Sequence, residues 1–145
     1  VTASHNPMDY NGMKMVRRGS APLGAESGMN AVRALAESQD FAPRAPGGTR
    51  RAVPQARAAY VDRVLSLVDL AALPPIRVLV NAGNGAAGPT FDAIAAALAA
   101  RGAPLGFVRM HHDPDGTFPN GIPNPLLPEN QPLTARRVVA EGCDM

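Results

Sequence analysis

The hydrophobic and polar positions of this chain change their period several times, and each period predicts a different element. Apolar residues at helical spacing predict helices over 26–38, 57–70, 90–100 and 133–141. Short runs rich in β-branched residues predict buried strands over 76–80 and 105–110, and residues 11–18 read as a further strand that ends in a Gly19-Ser20 turn. The order strand, helix, strand after residue 75 predicts a parallel, right-handed β-α-β unit.

Proline, glycine and arginine accumulate over residues 41–54 and separate two folding units. The domain boundaries predicted from this change are 1–43, a linker over 44–54, and 55–145. We expect an α/β protein: the end of a mixed-sheet first domain, followed by a second α/β domain with the parallel unit, each incomplete. The chain begins with Val1 and ends directly after a helical pattern, so we also expect it to be an internal part of a longer polypeptide.

Composition narrows the function classes. Of the 145 residues, 46% are hydrophobic and 18% are charged, which is typical of a globular protein. The net charge is +2 and aromatic residues make up 4%, without a basic stripe, so we expect no nucleic-acid partner. No apolar run is long enough to span a bilayer, and Cys143 is the single cysteine, which fits a reducing compartment. We therefore expect a cytoplasmic protein without a membrane partner.

The segment with the most chemistry is Val-Thr-Ala-Ser-His-Asn-Pro over residues 1–7, followed by Tyr-Asn-Gly-Met-Lys over 10–14. It combines a hydroxyl (Ser4), an imidazole (His5) and an amine (Lys14), the groups of a nucleophile with proton-transfer partners. Read singly, Ser4 and His5 would be ordinary turn residues. Lys14 is the single lysine among the basic residues; it is either a position that needs an amine able to lose its proton or an ordinary surface lysine.

This segment resembles the phosphoserine loop of the α-D-phosphohexomutases, most closely that of the phosphomannomutase and phosphoglucomutase branch. Two further strings resemble the family's second domain: Asn81–Pro89, and Pro114–Pro125, a loop that the resemblance places toward the active cleft. Some members carry histidine where this chain has Gly121. The resemblance covers nearly the whole chain.

The resemblance implies a phosphoryl transfer. Ser4 would carry the phosphoryl group, and His5 and Lys14 would polarise it or move a hydroxyl proton. The implied reaction interconverts mannose 6-phosphate and mannose 1-phosphate through a hexose 1,6-bisphosphate, for GDP-mannose and polysaccharide synthesis; a phosphoglucomutase or a dual-specificity mutase is the alternative. The implied partner is a hexose phosphate, and oligomeric state stays open.

The resemblance also implies Mg²⁺, bound through the hydroxyl or phosphate oxygen of Ser4. The family's other metal ligands belong to an Asp-x-Asp-x-Asp-Arg loop that this chain does not contain. We therefore expect the chain by itself to be inactive.

Two other patterns have competing interpretations. Gly83-x-Gly85-x-x-Gly88 has the spacing of a dinucleotide fingerprint, although glycines at such a turn also serve close packing. The string His111, His112, Asp113 and Asp115 suggests a metal site, but adjacent residues rarely point at one ion, and Asp-Pro-Asp-Gly is a turn sequence. We rank the dinucleotide module behind the mutase, and we do not expect zinc.

Overall fold

The computed structural model describes residues 2–145, which divide into two compact units. Unit 1 consists of Thr2 and Gly12–Ala52; unit 2 consists of Ala3–Asn11 and Val53–Met145. The helices are α1 (Asn30–Ser38), α2 (Ala56–Leu65), α3 (Gly88–Ala100) and α4 (Gln131–Ala140), and the strands are β1 (Ile76–Asn81) and β2 (Leu105–Met110). None of the helices in residues 2–145 is long and apolar enough to cross a membrane.

Unit 2 contains the predicted β-α-β unit. β1 and β2 pair in parallel, with Ile76 opposite Leu105 and Asn81 opposite Met110, and α3 is the connection between them. The α/β fold class is therefore confirmed. Both strands match their predicted ranges to within one residue at each end.

The other edge of β1 is also paired in part. The backbone N–H of Asp144 donates to the carbonyl of Arg77 at 2.7 Å, and the N–H of Leu79 donates to the carbonyl of Met145 at 2.7 Å. The Asp144 carboxylate additionally accepts from the N–H of Arg77 at 2.7 Å. Residues 144–145 thus lie along the edge of β1 opposite to β2.

The core of unit 2 lies where α2 meets α3. Val61 and Leu65 on α2 and Leu98 on α3 are 4–7% exposed and contact one another. Partly buried apolar residues surround them: Leu70, Ala93, Ile94, Ala97, Ala103, Leu105 and Phe107. Two apolar residues of the predicted helix over 57–70 stay outside this core: Tyr60 is 54% exposed and Val68, beyond the end of α2, is 43% exposed.

In unit 1 the strand predicted over 11–18 was wrong. Within the described residues this stretch forms only an isolated antiparallel bridge between Val16 and Pro22, closed by the turn at Gly19. The N–H of Arg17 donates to the Ala21 carbonyl and the N–H of Leu23 donates to the Met15 carbonyl, and within the described residues the pairing extends no further. The turn at Gly19-Ser20 is present, with φ of +73° and +58°.

Two predicted helix ends differ from the structure by more than two residues. α1 begins at Asn30 instead of Glu26 because Gly28 has φ +138°, which interrupts the helical backbone. The neighbours of Gly28 are the ends of the flexible Arg17 and Leu23 side chains, so the positive φ, and not lack of space, is what favours glycine there. α2 ends at Leu65, and a separate short turn, Leu70–Ala72, is capped by the Asp69 carboxylate.

We expect Leu98→Ala to lower the free energy of unfolding by about 2–5 kcal/mol, because it leaves a cavity between α2 and α3. Leu126→Ala is the matched control: Leu126 is 75% exposed, and the same truncation there should change stability by less than about 0.5 kcal/mol. Urea denaturation followed by circular dichroism measures both. Equal unfolding midpoints for the two variants would show that the cluster does not hold unit 2 together.

Candidate functional site

Ser4 and His5 form the tip of a tight turn. The N–H of Asn6 donates to the carbonyl of Ala3 at 3.2 Å, which closes the turn, and the hydroxyl of Ser4 lies 3.1 Å from Nδ1 of His5. Ser4 is exposed and His5 is half-buried. The turn therefore presents a hydroxyl next to an imidazole on an accessible surface.

The backbone of Ser4 has φ +59°, in the left-handed region. Only glycine, asparagine and aspartate adopt this region readily, and another residue there costs on the order of 1 kcal/mol or more. Backbone strain of this kind concentrates at functional sites. Ser20 has a similar φ of +58°, so the neighbouring imidazole of His5, and not the backbone strain, distinguishes Ser4 from the other serines.

The residues that flank this turn are also joined. The N–H of Thr2 donates to the carbonyl of Gly12 at 2.8 Å, and a Cβ on Gly12 would lie 2.9 Å from the Thr2 carbonyl oxygen. Glycine at position 12 therefore allows the close approach of these two backbone segments. A second turn, from Pro7 to Tyr10, lies within the loop.

The structure brings two of the three predicted site residues together. Ser4 and His5 share the turn in unit 2, whereas Lys14 is an exposed residue of unit 1. The hydrogen bond between Ser4 and His5 is direct geometric support for their pairing. The role of Lys14 stays a prediction.

A second set of polar contacts lies at the carboxyl end of the strands, and no sequence pattern pointed to it. Asn84, in the turn between β1 and α3, is 9% exposed. Its side-chain Nδ2 donates to the Asp113 carbonyl at 2.9 Å, and its Oδ1 accepts from Nδ2 of Asn120 at 2.8 Å. Its backbone N–H donates to the His111 carbonyl at 2.7 Å, and its carbonyl accepts from the N–H of Asp115 at 2.8 Å.

His112 pairs with a carboxylate that is remote in sequence. Its Nε2 donates to Asp92 on α3 at 2.8 Å, and Arg109 on β2 binds the other oxygen of Asp92 at 2.8 Å. The hydrogen bonds from His112 and then from Arg109 lower the pKa of the Asp92 carboxyl. Nδ1 of His112 is buried without a hydrogen-bond partner among the described residues. His112 therefore anchors the start of the loop after β2.

Asp115 acts within its own turn. The hydroxyl and the backbone N–H of Thr117 donate to Asp115 Oδ1 at 2.7 and 2.9 Å, and they lower the pKa of this carboxyl. This geometry agrees with the prediction that the Asp-Pro-Asp-Gly string forms a turn.

The glycines of the fingerprint-like string are used for packing. Gly83 has φ +57°, and a Cβ there would lie 2.7 Å from Cβ of Pro123. A Cβ on Gly88 would overlap the carbonyl oxygen of His112. Pro89 follows in the first turn of α3 and has no N–H to offer a pyrophosphate. The geometry therefore favours the packing role of these glycines over dinucleotide binding.

The residues of this chain do not by themselves fit a magnesium site. Across residues 2–145, no three His, Cys, Asp or Glu side chains come together in a way that could hold an ion. Ser4, predicted as a ligand, would contribute a single oxygen, and Mg²⁺ prefers six in near-octahedral geometry.

A cavity of about 510 Å³ opens at the carboxyl end of β1, within unit 2. The loop after β2 and helix α4 form its walls, and its lining includes Asn81, His111, Asn120, Gly121, Thr134 and Val138. In open α/β sheets, ligands bind outside the carboxyl ends of the strands.

Comparison with known proteins assigns both parts of the chain to one protein family. The family profile described as phosphoglucomutase/phosphomannomutase, alpha/beta/alpha domain I, matches residues 1–43, and the profile for domain II matches residues 58–145. A phosphomannomutase from Salmonella montevideo is 52% identical over 147 residues, which cover 100% of this chain and 32% of that protein. A phosphomannomutase from Escherichia coli K12 is 49% identical over 148 residues, with the same two coverages.

A crystal structure of a phosphoglucomutase/phosphomannomutase family protein from Burkholderia thailandensis superimposes with a TM-score of 0.78 at 32% identity. It covers 98% of this chain and 28% of that one. The chain thus spans about a third of the length of the curated relatives named above. Two profiles in the order of the two predicted domains, together with these relatives, show that the chain belongs to the phosphoglucomutase/phosphomannomutase family.

Proposed function

We propose that this chain is the phosphoserine-bearing part of a phosphohexomutase that interconverts mannose 6-phosphate and mannose 1-phosphate. The observation that carries the proposal is Ser4 itself: an exposed hydroxyl on a strained turn, 3.1 Å from an imidazole, within the segment that matches the family's first domain. The names of the relatives support mannose as the sugar.

The reaction proceeds by two transfers in opposite directions. Phosphorylated Ser4 gives its phosphoryl group to a free hydroxyl of the hexose monophosphate. The P–O bond to Ser4 Oγ breaks and a P–O bond to the sugar oxygen forms. The proton of the sugar hydroxyl passes through a base to the departing Ser4 oxygen, which becomes a hydroxyl. The resulting hexose 1,6-bisphosphate returns its other phosphoryl group to Ser4. The second transfer releases the isomeric monophosphate and restores the phosphoserine, so added bisphosphate also activates an unphosphorylated protein.

His5 and Lys14 are the proposed proton-transfer and charge-stabilising groups. A phosphoserine carries a charge of roughly −1.5 to −2 at neutral pH, and cations around it stabilise the transferring group. His5 already contacts the Ser4 hydroxyl and can accept its proton. Lys14 supplies the amine.

Mg²⁺ is the proposed cofactor; it would neutralise charge on the transferring phosphoryl group. Ser4 is the ligand that this chain would offer, and the remaining ligands would come from outside the described residues. Consistent with the resemblance, we place the protein in the cytoplasm and in the supply of mannose 1-phosphate for GDP-mannose.

Glucose phosphates are the alternative substrates, because the family comprises phosphoglucomutases as well as phosphomannomutases. A dual-specificity mutase would use the same Ser4 chemistry on either sugar. The ratio of kcat/KM for mannose 1-phosphate and glucose 1-phosphate decides between these substrates.

Removing the Ser4 hydroxyl should abolish turnover. In the complete protein that contains this chain, we expect Ser4→Gly, as well as Ser4→Ala, to lower kcat by at least about 1000-fold. Ser20→Gly is the matched control, because Ser20 is also exposed and has φ +58°; its activity should stay within twofold of the unmodified protein. Glycine accepts both backbone conformations, so the pair isolates the loss of the hydroxyl.

Peptide mapping by mass spectrometry provides the second readout of that experiment. Phosphate should be found on Ser4 after incubation with hexose bisphosphate. Phosphate confined to one of the other serines would contradict the assignment: Ser20, Ser27, Ser38 or Ser66.

Lys14→Arg should be nearly as harmful as Lys14→Met, with kcat lowered about 100-fold or more in both. Arginine keeps the positive charge but does not release its proton under working conditions. Arg18→Met, which removes another exposed charge of unit 1, should leave kcat within twofold. If Lys14→Arg retains most of the activity, Lys14 is an electrostatic contact to phosphate and not a proton-transfer group.

The 145-residue chain alone should show no mutase turnover, since residues 2–145 bring together no set of metal ligands. A coupled assay with mannose 1-phosphate, Mg²⁺ and a trace of hexose bisphosphate measures this, with the Ser4→Ala chain as background. Metal-dependent turnover above that background would show that this chain is sufficient for catalysis.

A further inference from the structure

We infer that Asn84 is a positioning residue of the proposed mutase, which holds residues 111–121 in place as one wall of the ligand-binding edge. The inference rests on the proposed function, since it assigns these residues a role in binding the hexose phosphate. It concerns side chains that neither the phosphoserine chemistry nor the metal requires.

Asn84 contacts this loop at four separate points. Its two backbone groups bind His111 and Asp115, and its side-chain amide binds Asp113 and Asn120, all at 2.7–2.9 Å. One residue thus holds the loop both at its start, His111, and near its end, Asn120. Asn84 itself is 9% exposed, so water has little access to its side-chain amide, and an amide that loses its partner is left unsatisfied.

The loop depends on such outside contacts because it has little regular structure of its own. His111, Phe118 and Gly121 all have positive φ, at +44°, +48° and +91°. Positive φ is unfavourable for histidine and phenylalanine, and it persists only where the surroundings impose it. The two short-range backbone bonds within the loop, Phe118 to Asp115 and Gly121 to Phe118, close tight turns but do not attach the loop to the sheet.

The position of the loop connects it to ligand binding. His111, Asn120 and Gly121 line the 510 Å³ cavity at the carboxyl end of β1. Ala3–Asn11, which carries Ser4 and His5, belongs to the same compact unit. A misplacement of about 1 Å in a residue that orients substrate can cost on the order of 100-fold in rate.

The backbone conformation of Asn84 permits a matched experiment. Asn84 and Gln39 both have φ +55°. Gln39 is exposed and directly follows the last residue of α1 in unit 1. Glycine adopts this φ without strain, so Gln39→Gly and Asn84→Gly make the same change to the backbone. Asn84→Gly additionally removes the two side-chain hydrogen bonds to the loop.

Steady-state kinetics of the complete protein with mannose 1-phosphate test the inference. We expect Asn84→Gly to lower kcat/KM about 10- to 100-fold, mainly through a higher KM, and Gln39→Gly to stay within twofold. A purely structural role gives a different result: a smaller folded fraction lowers the apparent kcat and leaves KM unchanged. That result, or a kcat/KM of Asn84→Gly within twofold of the unmodified protein, would overturn the inference.

Asn120→Ala provides a second route if Asn84→Gly folds poorly. Asn120 is exposed, and its Nδ2 donates to Oδ1 of Asn84, so this variant removes one hydrogen bond and leaves Asn84 in place. We expect its KM to rise severalfold, and the double variant to be no worse than Asn84→Gly, because the two residues act through one contact. Fully additive losses in kcat/KM would contradict this. Absence of turnover in the unmodified protein would instead overturn the proposed function, and this inference with it.

Discussion

Parallel pairing of β1 and β2 is the constraint on which unit 2 depends. Parallel strands cannot be joined by a tight hairpin, so the chain must cross over through α3 before β2 can pair. The crossover brings the carboxyl ends of both strands to one edge. The turn that contains Asn84 and the loop that begins at His111 therefore leave the sheet side by side, and their hydrogen bonds follow from that proximity. The buried contacts between α2 and α3 stabilise this arrangement, but the parallel pairing of the strands decides which loops lie next to each other.

Ser4 illustrates a different relation between sequence and chemistry. The reactivity proposed for Ser4 would not come from burial, since the residue is exposed, but from a local turn that places its hydroxyl beside His5. A nucleophile that must accept and return a phosphoryl group has to be reached by a sugar phosphate from solvent. An exposed turn tip with a fixed backbone meets both requirements, because the hydroxyl is accessible while its direction is constrained.

Local pattern predicted the elements of unit 2 well, because strands such as 76–80 are bounded by prolines and glycines that act at short range. The failures have long-range causes. The run over 11–18 has the composition of a strand, but a strand also needs a paired neighbour, and the described residues give this run only the bridge between Val16 and Pro22. Helix α1 begins late because Gly28 has φ +138°, and the Arg17 guanidinium, remote in sequence, donates to the Ser27 carbonyl beside it.

The residues of the candidate site also fall into two groups: those indicated by a local motif and those that depend on contacts distant in sequence. Ser4 and His5 are adjacent in sequence, and a local motif was sufficient to propose them as site residues. The partnership of His112 with Asp92 joins residues 20 positions apart, and Asn84 reaches Asn120 over 36 positions. Asparagine in a glycine-rich turn looks like an ordinary turn residue. Its burial and its partners become visible only when α3 has brought the two loops together.

The bonds between β1 and residues 144–145 have a consequence for solubility. An open strand edge offers its N–H and C=O groups to any other extended chain, and natural proteins cover or interrupt such edges. Asp144 and Met145 occupy the backbone groups of Arg77 and Leu79, and the Asp144 carboxylate takes a third. The first half of β1 is therefore closed to edge-to-edge association, and a negatively charged side chain lies where a foreign strand would have to begin its pairing.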